Sequence, residues 1–73
     1  MKITVESTSK TVTLNGVPAR IWEGTTESGI PVHCYITRVA VALDQDHSQF
    51  ERELQEHQAP SAEVAAIPLR LIL

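Results

Sequence analysis

Apolar and polar residues alternate with a period of two through most of the first half of the chain. Lys2–Glu6 puts Ile3 and Val5 on one face, and Lys10–Leu14 does the same with Val12 and Leu14, the pattern of half-buried strands. Glu6-Ser7-Thr8-Ser9 between them has turn composition, which predicts an opening hairpin. Asn15-Gly16 is the strongest turn dipeptide of the chain, since both residues tolerate positive φ. It separates Leu14 from a further extended run, Val17 to Thr25. Pro18 cannot donate a ladder hydrogen bond, so it must face an edge or stand first in its strand.

Thr26-Glu27-Ser28-Gly29 forms the second turn signal and leads into Ile30–Leu43, the longest stretch with almost no charge, Arg38 being its one charged residue. Pairing Thr25 with Ile30 across a four-residue turn sets Trp22 opposite His33, Ile21 opposite Cys34 and Arg20 opposite Tyr35. That register gathers Ala19, Ile21, Val32, Cys34 and Ile36 on an apolar face and Arg20, Trp22, His33 and Tyr35 on the other. Beyond Thr37 the apolar parity changes from even positions to odd ones (Val39, Val41, Leu43). A bulge near Thr37-Arg38 accounts for the change, and burial of both faces is the alternative.

The periodicity then changes. Asp46-His47-Ser48-Gln49 and Ser48-Gln49-Phe50-Glu51 are overlapping helix-start signals. They predict a helix from about Ser48 to Gln58 whose thin apolar stripe is Phe50 and Leu54. Pro60 stops it, Ser61 can cap a single turn through Ala62 to Ala66, and the final IPLRLIL reads as a strand. The expected fold class is α+β: one domain over residues 1–73, a small antiparallel sheet of four or five strands with one helix packed on one face, and a carboxyl-terminal strand.

Length sharpens this picture, because 73 residues lie near the lower limit for a core that is stable without support. The single cysteine, Cys34, excludes an intrachain disulfide, and no Cys/His spacing suits structural zinc. Oligomerisation is the remaining support. Leu69, Leu71, Ile72 and Leu73 of the terminal strand either complete the domain's own sheet or form a homo-oligomer interface. The start of the sequence lacks the apolar core of a signal peptide, and no run is long enough for a membrane span. A reducing cytoplasm is the expected compartment.

The net charge is −3, without the basic footprint of direct nucleic-acid binding. The imbalance is local: Asp44 to His57 holds five carboxylates (Asp44, Asp46, Glu51, Glu53, Glu56) and one cation, Arg52, a sum of −4 that leaves +1 for the rest. Glu51, Glu53 and Glu56 are candidate contacts to a basic partner surface, against the alternative of a solvated helix face.

Arg20, Trp22, His33 and Tyr35 form the other candidate binding site, suited to an aromatic or anionic ligand or to a protein hot spot. The competing assignment buries Trp22 and Tyr35 beneath the helix, with the Arg20 stem covering them. His33, His47 and His57 do not have metal-site spacing. Cys34 and His33, as strand neighbours, point to opposite faces and cannot form a dyad. No nucleophile elbow or phosphate loop is present, so no catalytic residue, metal or cofactor is expected.

The residues GVPARIWEGTTESGIPVHCYITRVAV and the ending AIPLRLIL resemble the small uncharacterised accessory proteins encoded by phages and prophages of Gram-negative bacteria. This resemblance brings no catalytic motif and no site residue with it. What it implies is a bacterial host setting and a non-enzymatic protein that binds and inhibits or modulates a host protein or complex, inhibitors of antiviral defence included. Two further readings stay open: a small-ligand binder that holds a nucleotide-like molecule between subunits with Arg20, Trp22 and Tyr35, and a structural assembly component built on LRLIL.

Overall fold

A computed structural model describes residues 1–66 and the backbone of residues 70–71. Three antiparallel strands dominate it: β1 (Ile3–Leu14), β2 (Val17–Thr26) and β3 (Pro31–Ile36). They are followed by a two-turn helix α1 (His47–Leu54), a single turn α2 (Ala62–Ala65) and a short strand β4 (Arg70–Leu71). The sheet order is β3-β2-β1-β4, with β4 parallel to β1 at Thr13 and Leu14. Strand accounts for 44% of the described residues and helix for 18%, so the α+β expectation is corrected: this is a sheet-dominated fold with only short helices. Among the described residues no helix is long and apolar enough to cross a membrane.

The Asn15-Gly16 turn closes β1 onto β2 as expected, with φ of 49° and 84° and Leu14 paired with Val17. The predicted opening hairpin is absent. Residues 3–14 form one strand, and the Glu6–Ser9 segment that resembles a turn carries a bulge instead. Ser7 faces Trp22 and Thr11 faces Arg20, so Thr8, Ser9 and Lys10 all stand opposite Ile21 alone. Thr8 is fully buried. Its hydroxyl donates to the Ile21 carbonyl at 2.7 Å and accepts the Lys10 N–H at 3.2 Å, while Arg20 Nη1 donates to the Thr8 carbonyl at 2.7 Å. A polar residue in a strand interior is tolerated here because both capacities of its hydroxyl are used.

The β2–β3 register is one residue away from the predicted one: Trp22 faces Cys34, Ile21 faces Tyr35 and Arg20 faces Ile36. Thr25 pairs with Pro31 instead of Ile30, so five residues instead of four lie between the paired positions, held by Thr26 N–H to the Ile30 carbonyl at 3.0 Å and Gly29 N–H to the Thr26 carbonyl at 3.0 Å. Because strand faces have period two, that single step moves His33 and Tyr35 to the Ile21 side and Val32, Cys34 and Ile36 to the Trp22 side.

The expected strand continuation through Val39, Val41 and Leu43 also fails. Extending the ladder past Arg20–Ile36 would bring Arg38 to Pro18 in a position that needs the Pro18 N–H, and proline has none. The chain bends away at Thr37, and Leu43 is 92% exposed.

The core lies on the Ile21 face. Val12, Ala19, Ile21 and Val64 are buried, with Leu14 and Tyr35 packed against them. Val64 comes from α2, capped as predicted by Ser61, whose hydroxyl accepts the Val64 N–H at 3.2 Å. The terminal strand contributes Arg70 and Leu71 to the chain's own sheet; Leu69, Ile72 and Leu73 lie outside the described residues.

Two substitutions test this account. Thr8→Val leaves the Ile21 carbonyl and Lys10 N–H without their buried partner and should cost about 1–3 kcal/mol in urea unfolding, with Thr8→Ser losing less. Gly24→Ala, which raises strand propensity elsewhere, should here destabilise by ~1–3 kcal/mol or more. A β-carbon on Gly24 would strike the Thr4 carbonyl and lie 2.7 Å from Val5 Cα, so the strands themselves must shift.

Candidate functional site

Helix α1 starts where Asp46 accepts the Gln49 N–H at 3.1 Å. The Asp46 carboxyl also accepts from the Ser48 hydroxyl at 2.7 Å, and these bonds, led by Ser48, hold it below its usual pKa. The helix stops at Leu54, four residues short of the Gln58 end that its composition predicts. A β-bridge competes for those residues. The Ser7 hydroxyl donates to the Glu56 carbonyl at 2.9 Å, Gln58 N–H donates to Ser7 at 3.0 Å, and Ser9 N–H donates to Gln58 at 2.9 Å.

The predicted apolar stripe of α1 does turn toward the sheet, but it does not close on it. Phe50 and Leu54 stand across an open cleft of about 510 Å³ from Trp22 and Ile36. No α1 residue is buried, and Leu54 remains 42% exposed. This corrects the expectation of a helix packed on the sheet. Arg20 and Arg38 line the sheet side of the cleft, and Glu53 lines the helix side. Glu51 and Glu56 are exposed beyond it.

The four residues predicted to cluster are therefore divided between faces. Arg20 and Trp22 share the cleft, whereas His33 and Tyr35 lie on the opposite side, their rings edge to face with centroids 5.5 Å apart. Trp22 is half-buried, and the predicted burial of Trp22 and Tyr35 beneath one helix does not occur. His47 sits at the start of α1, where its Nε2 is 3.3 Å from the Ala42 carbonyl, and His33 lies on the far face, so the histidines do not converge.

Sequence reasoning missed Ile36 and Arg38 as neighbours of Trp22. It also missed the polar pin of the far face, where Glu23 accepts the Ser61 hydroxyl at 2.7 Å and the Ser61 N–H at 2.9 Å. An acidic residue with the same parity as Ile21 was the available signal for that pin. The Ser61 hydroxyl, then the Ser61 amide, hold the Glu23 carboxyl below its usual pKa, with a smaller contribution from His33.

No family model matches the chain, and no curated protein or solved structure matches it either.

A carboxylate whose pKa is lower folded than unfolded contributes stability above the unfolded value, and that contribution is lost as pH falls through the folded value. The Glu23 carboxyl is held below its usual pKa, so acidification from pH 7 should weaken the hold of β2 on α2 progressively once pH falls beneath the ordinary glutamate value of ~4.3, the loss being complete only below the lowered folded value. Thermal unfolding across that range should show a smaller acid-induced fall in Tm for Glu23→Gln than for the wild type, the variant being less stable at pH 7.

Proposed function

We propose that the protein is a non-enzymatic binding module that takes an apolar anchor, flanked by basic residues, from a partner protein into the cleft between α1 and the Trp22 face. The observation that carries this reading is the unclosed pairing of Phe50 and Leu54 with Trp22 and Ile36. Apolar surfaces facing one another across a gap lose the burial that direct contact would give, and a ligand side chain in the gap restores it. Trp22 is the side-chain type that most often anchors such contacts.

The flanking charge defines the partner. The segment from Asp44 to His57 carries −4 and lines the cleft through Phe50, Glu53 and Leu54, so basic residues beside the anchor meet Glu53 at the cleft and Glu51 and Glu56 on the exposed surface beyond it, which speeds encounter. The resemblance to phage accessory proteins supports a partner among bacterial host proteins, in the cytoplasm. Tyr35 lies on the other face, which removes one of the three residues on which the nucleotide-binding alternative relied.

Trp22 is the only tryptophan, so its fluorescence reports occupancy of the cleft. Affinity capture from a bacterial lysate should retain a protein that shifts Trp22 emission when purified and added back. Charge reversal of Glu51, Glu53 and Glu56 together should weaken that complex by roughly tenfold or more, and added salt should weaken the wild-type complex. Retention that is indifferent to the triple reversal, with Trp22 emission unchanged, counts against the reading.

A further inference from the structure

The two edges of the sheet are treated differently. The outer edge of β1 is covered by Gln58 at Thr8 and by Arg70–Leu71 at Thr13 and Leu14. Among the described residues β3 has β2 as its one sheet neighbour, and no backbone hydrogen bond from another segment reaches its other side.

The hydrogen bond from Thr26 N–H to the Ile30 carbonyl fixes which β3 groups point outward. It makes Thr25–Pro31 a non-hydrogen-bonded pair, and the two kinds of pair alternate along an antiparallel ladder. Val32, Cys34 and Ile36 therefore direct their backbone groups to Gly24, Trp22 and Arg20. His33 and Tyr35 direct theirs away from β2, and Pro31 offers a carbonyl with no N–H beside it. Proline in that outward position is what an edge strand permits, and the strand carries no lysine, aspartate or glutamate to discourage pairing.

We propose that β3 pairs antiparallel with β3 of a second copy about a two-fold axis at Cys34, joining the two sheets into one. A two-fold axis perpendicular to the sheet keeps each face on its own side, so paired positions must share parity. Centring on Cys34 satisfies this and pairs His33 with Tyr35 of the partner subunit in both directions, using every outward N–H and carbonyl of the two residues. Val32 meets Ile36 of the partner subunit on the Trp22 face, apolar against apolar. Centring on His33 would oppose two imidazoles and leave the Tyr35 carbonyl unpaired.

Chain length supplies the driving force. In a domain of 73 residues, whose buried apolar side chains among the described residues are Val12, Ala19, Ile21 and Val64, the additional edge that association covers supports a core near the lower limit of unaided stability. The two Trp22 clefts then lie on one face of the joined sheet, where a bivalent partner could engage both.

Cys34 makes the register testable. On the axis it faces Cys34 of the partner subunit in a non-hydrogen-bonded pair, with Cα atoms about 4.5 Å apart, inside the range a disulfide accepts. Sedimentation of the reduced full chain should show a monomer–dimer equilibrium. Diamide, which takes two electrons and two protons from a pair of thiols, should trap the dimer as a disulfide when the dimer is populated. His33→Pro, which removes an outward N–H while leaving the β2 ladder intact, should shift the equilibrium to monomer with an unchanged circular dichroism spectrum. Should that variant not fold, amide exchange of the wild type decides: His33 and Tyr35 should slow about tenfold or more between dilute and concentrated protein. A monomer at millimolar concentration, or a dimer in which those two amides exchange as in dilute protein, overturns the proposal.

Discussion

Three residues of β1 must be accommodated opposite one residue of β2, and the side chain that makes this possible is Thr8. Its hydroxyl reaches the Ile21 carbonyl while receiving the Lys10 N–H, so the bulge satisfies its own polar groups without water. Ser7 and Thr11 keep the same parity on either side of it, and β1 continues without exchanging its faces. The distortion also sends backbone groups of Ser7 and Ser9 outward, where Gln58 binds them. Lys10 on the same bulge donates to the Ala65 carbonyl at 3.2 Å. One local irregularity thus ties together the long strand, the exit from α1 and the turn that completes the core.

That junction dictates how the chain wraps the sheet. After β3 it crosses the Trp22 face as α1, meets the β1 edge at Gln58, and passes to the Ile21 face, where Ser61 is pinned to Glu23 and Val64 enters the core. Because Glu56–Gln58 are held at the edge, α1 cannot extend into them. It remains a two-turn helix with no buried residue, set across an open cleft from the Trp22 face. The open cleft is a consequence of where the chain is anchored, since the sequence of the helix itself supplies a suitable apolar stripe.

The same wrapping leaves the two sheet edges unequal. Both β1 attachments come from the carboxyl-terminal third of the chain, and among the described residues β3 has no hydrogen-bonded neighbour on its outer edge, with the cleft on the face above. In the proposed dimer these features belong together, because a two-fold axis at Cys34 brings the two Trp22 clefts to the same side of one sheet. Recognition by the cleft and association through the edge use different groups: side chains of Trp22, Phe50 and Leu54 for the first, backbone of His33 and Tyr35 for the second.

Local chemistry was enough to find the Asn15-Gly16 turn, the pair of overlapping start signals of which α1 uses Asp46, the Ser61-capped turn and the Phe50–Leu54 stripe, because each depends on residues within four positions of one another. The Glu6–Ser9 segment was misread as a turn, since a polar composition does not distinguish a turn from a bulge whose threonine is buried against Ile21, thirteen residues away. The division of Arg20 and Trp22 from His33 and Tyr35 rested on one residue of loop length: a period-two pattern fits either register until the Thr26–Ile30 hydrogen bond selects one. Pro18, read as a residue that cannot donate a ladder hydrogen bond and so must face an edge or stand first in its strand, is second in β2 and also set the end of β3, but only once the register showed that Arg38 would have faced it. The sequence by itself determined the elements whose causes are local. Tertiary structure decided which side chains share a face and which edge stays open, because both depend on hydrogen bonds between residues distant in the chain.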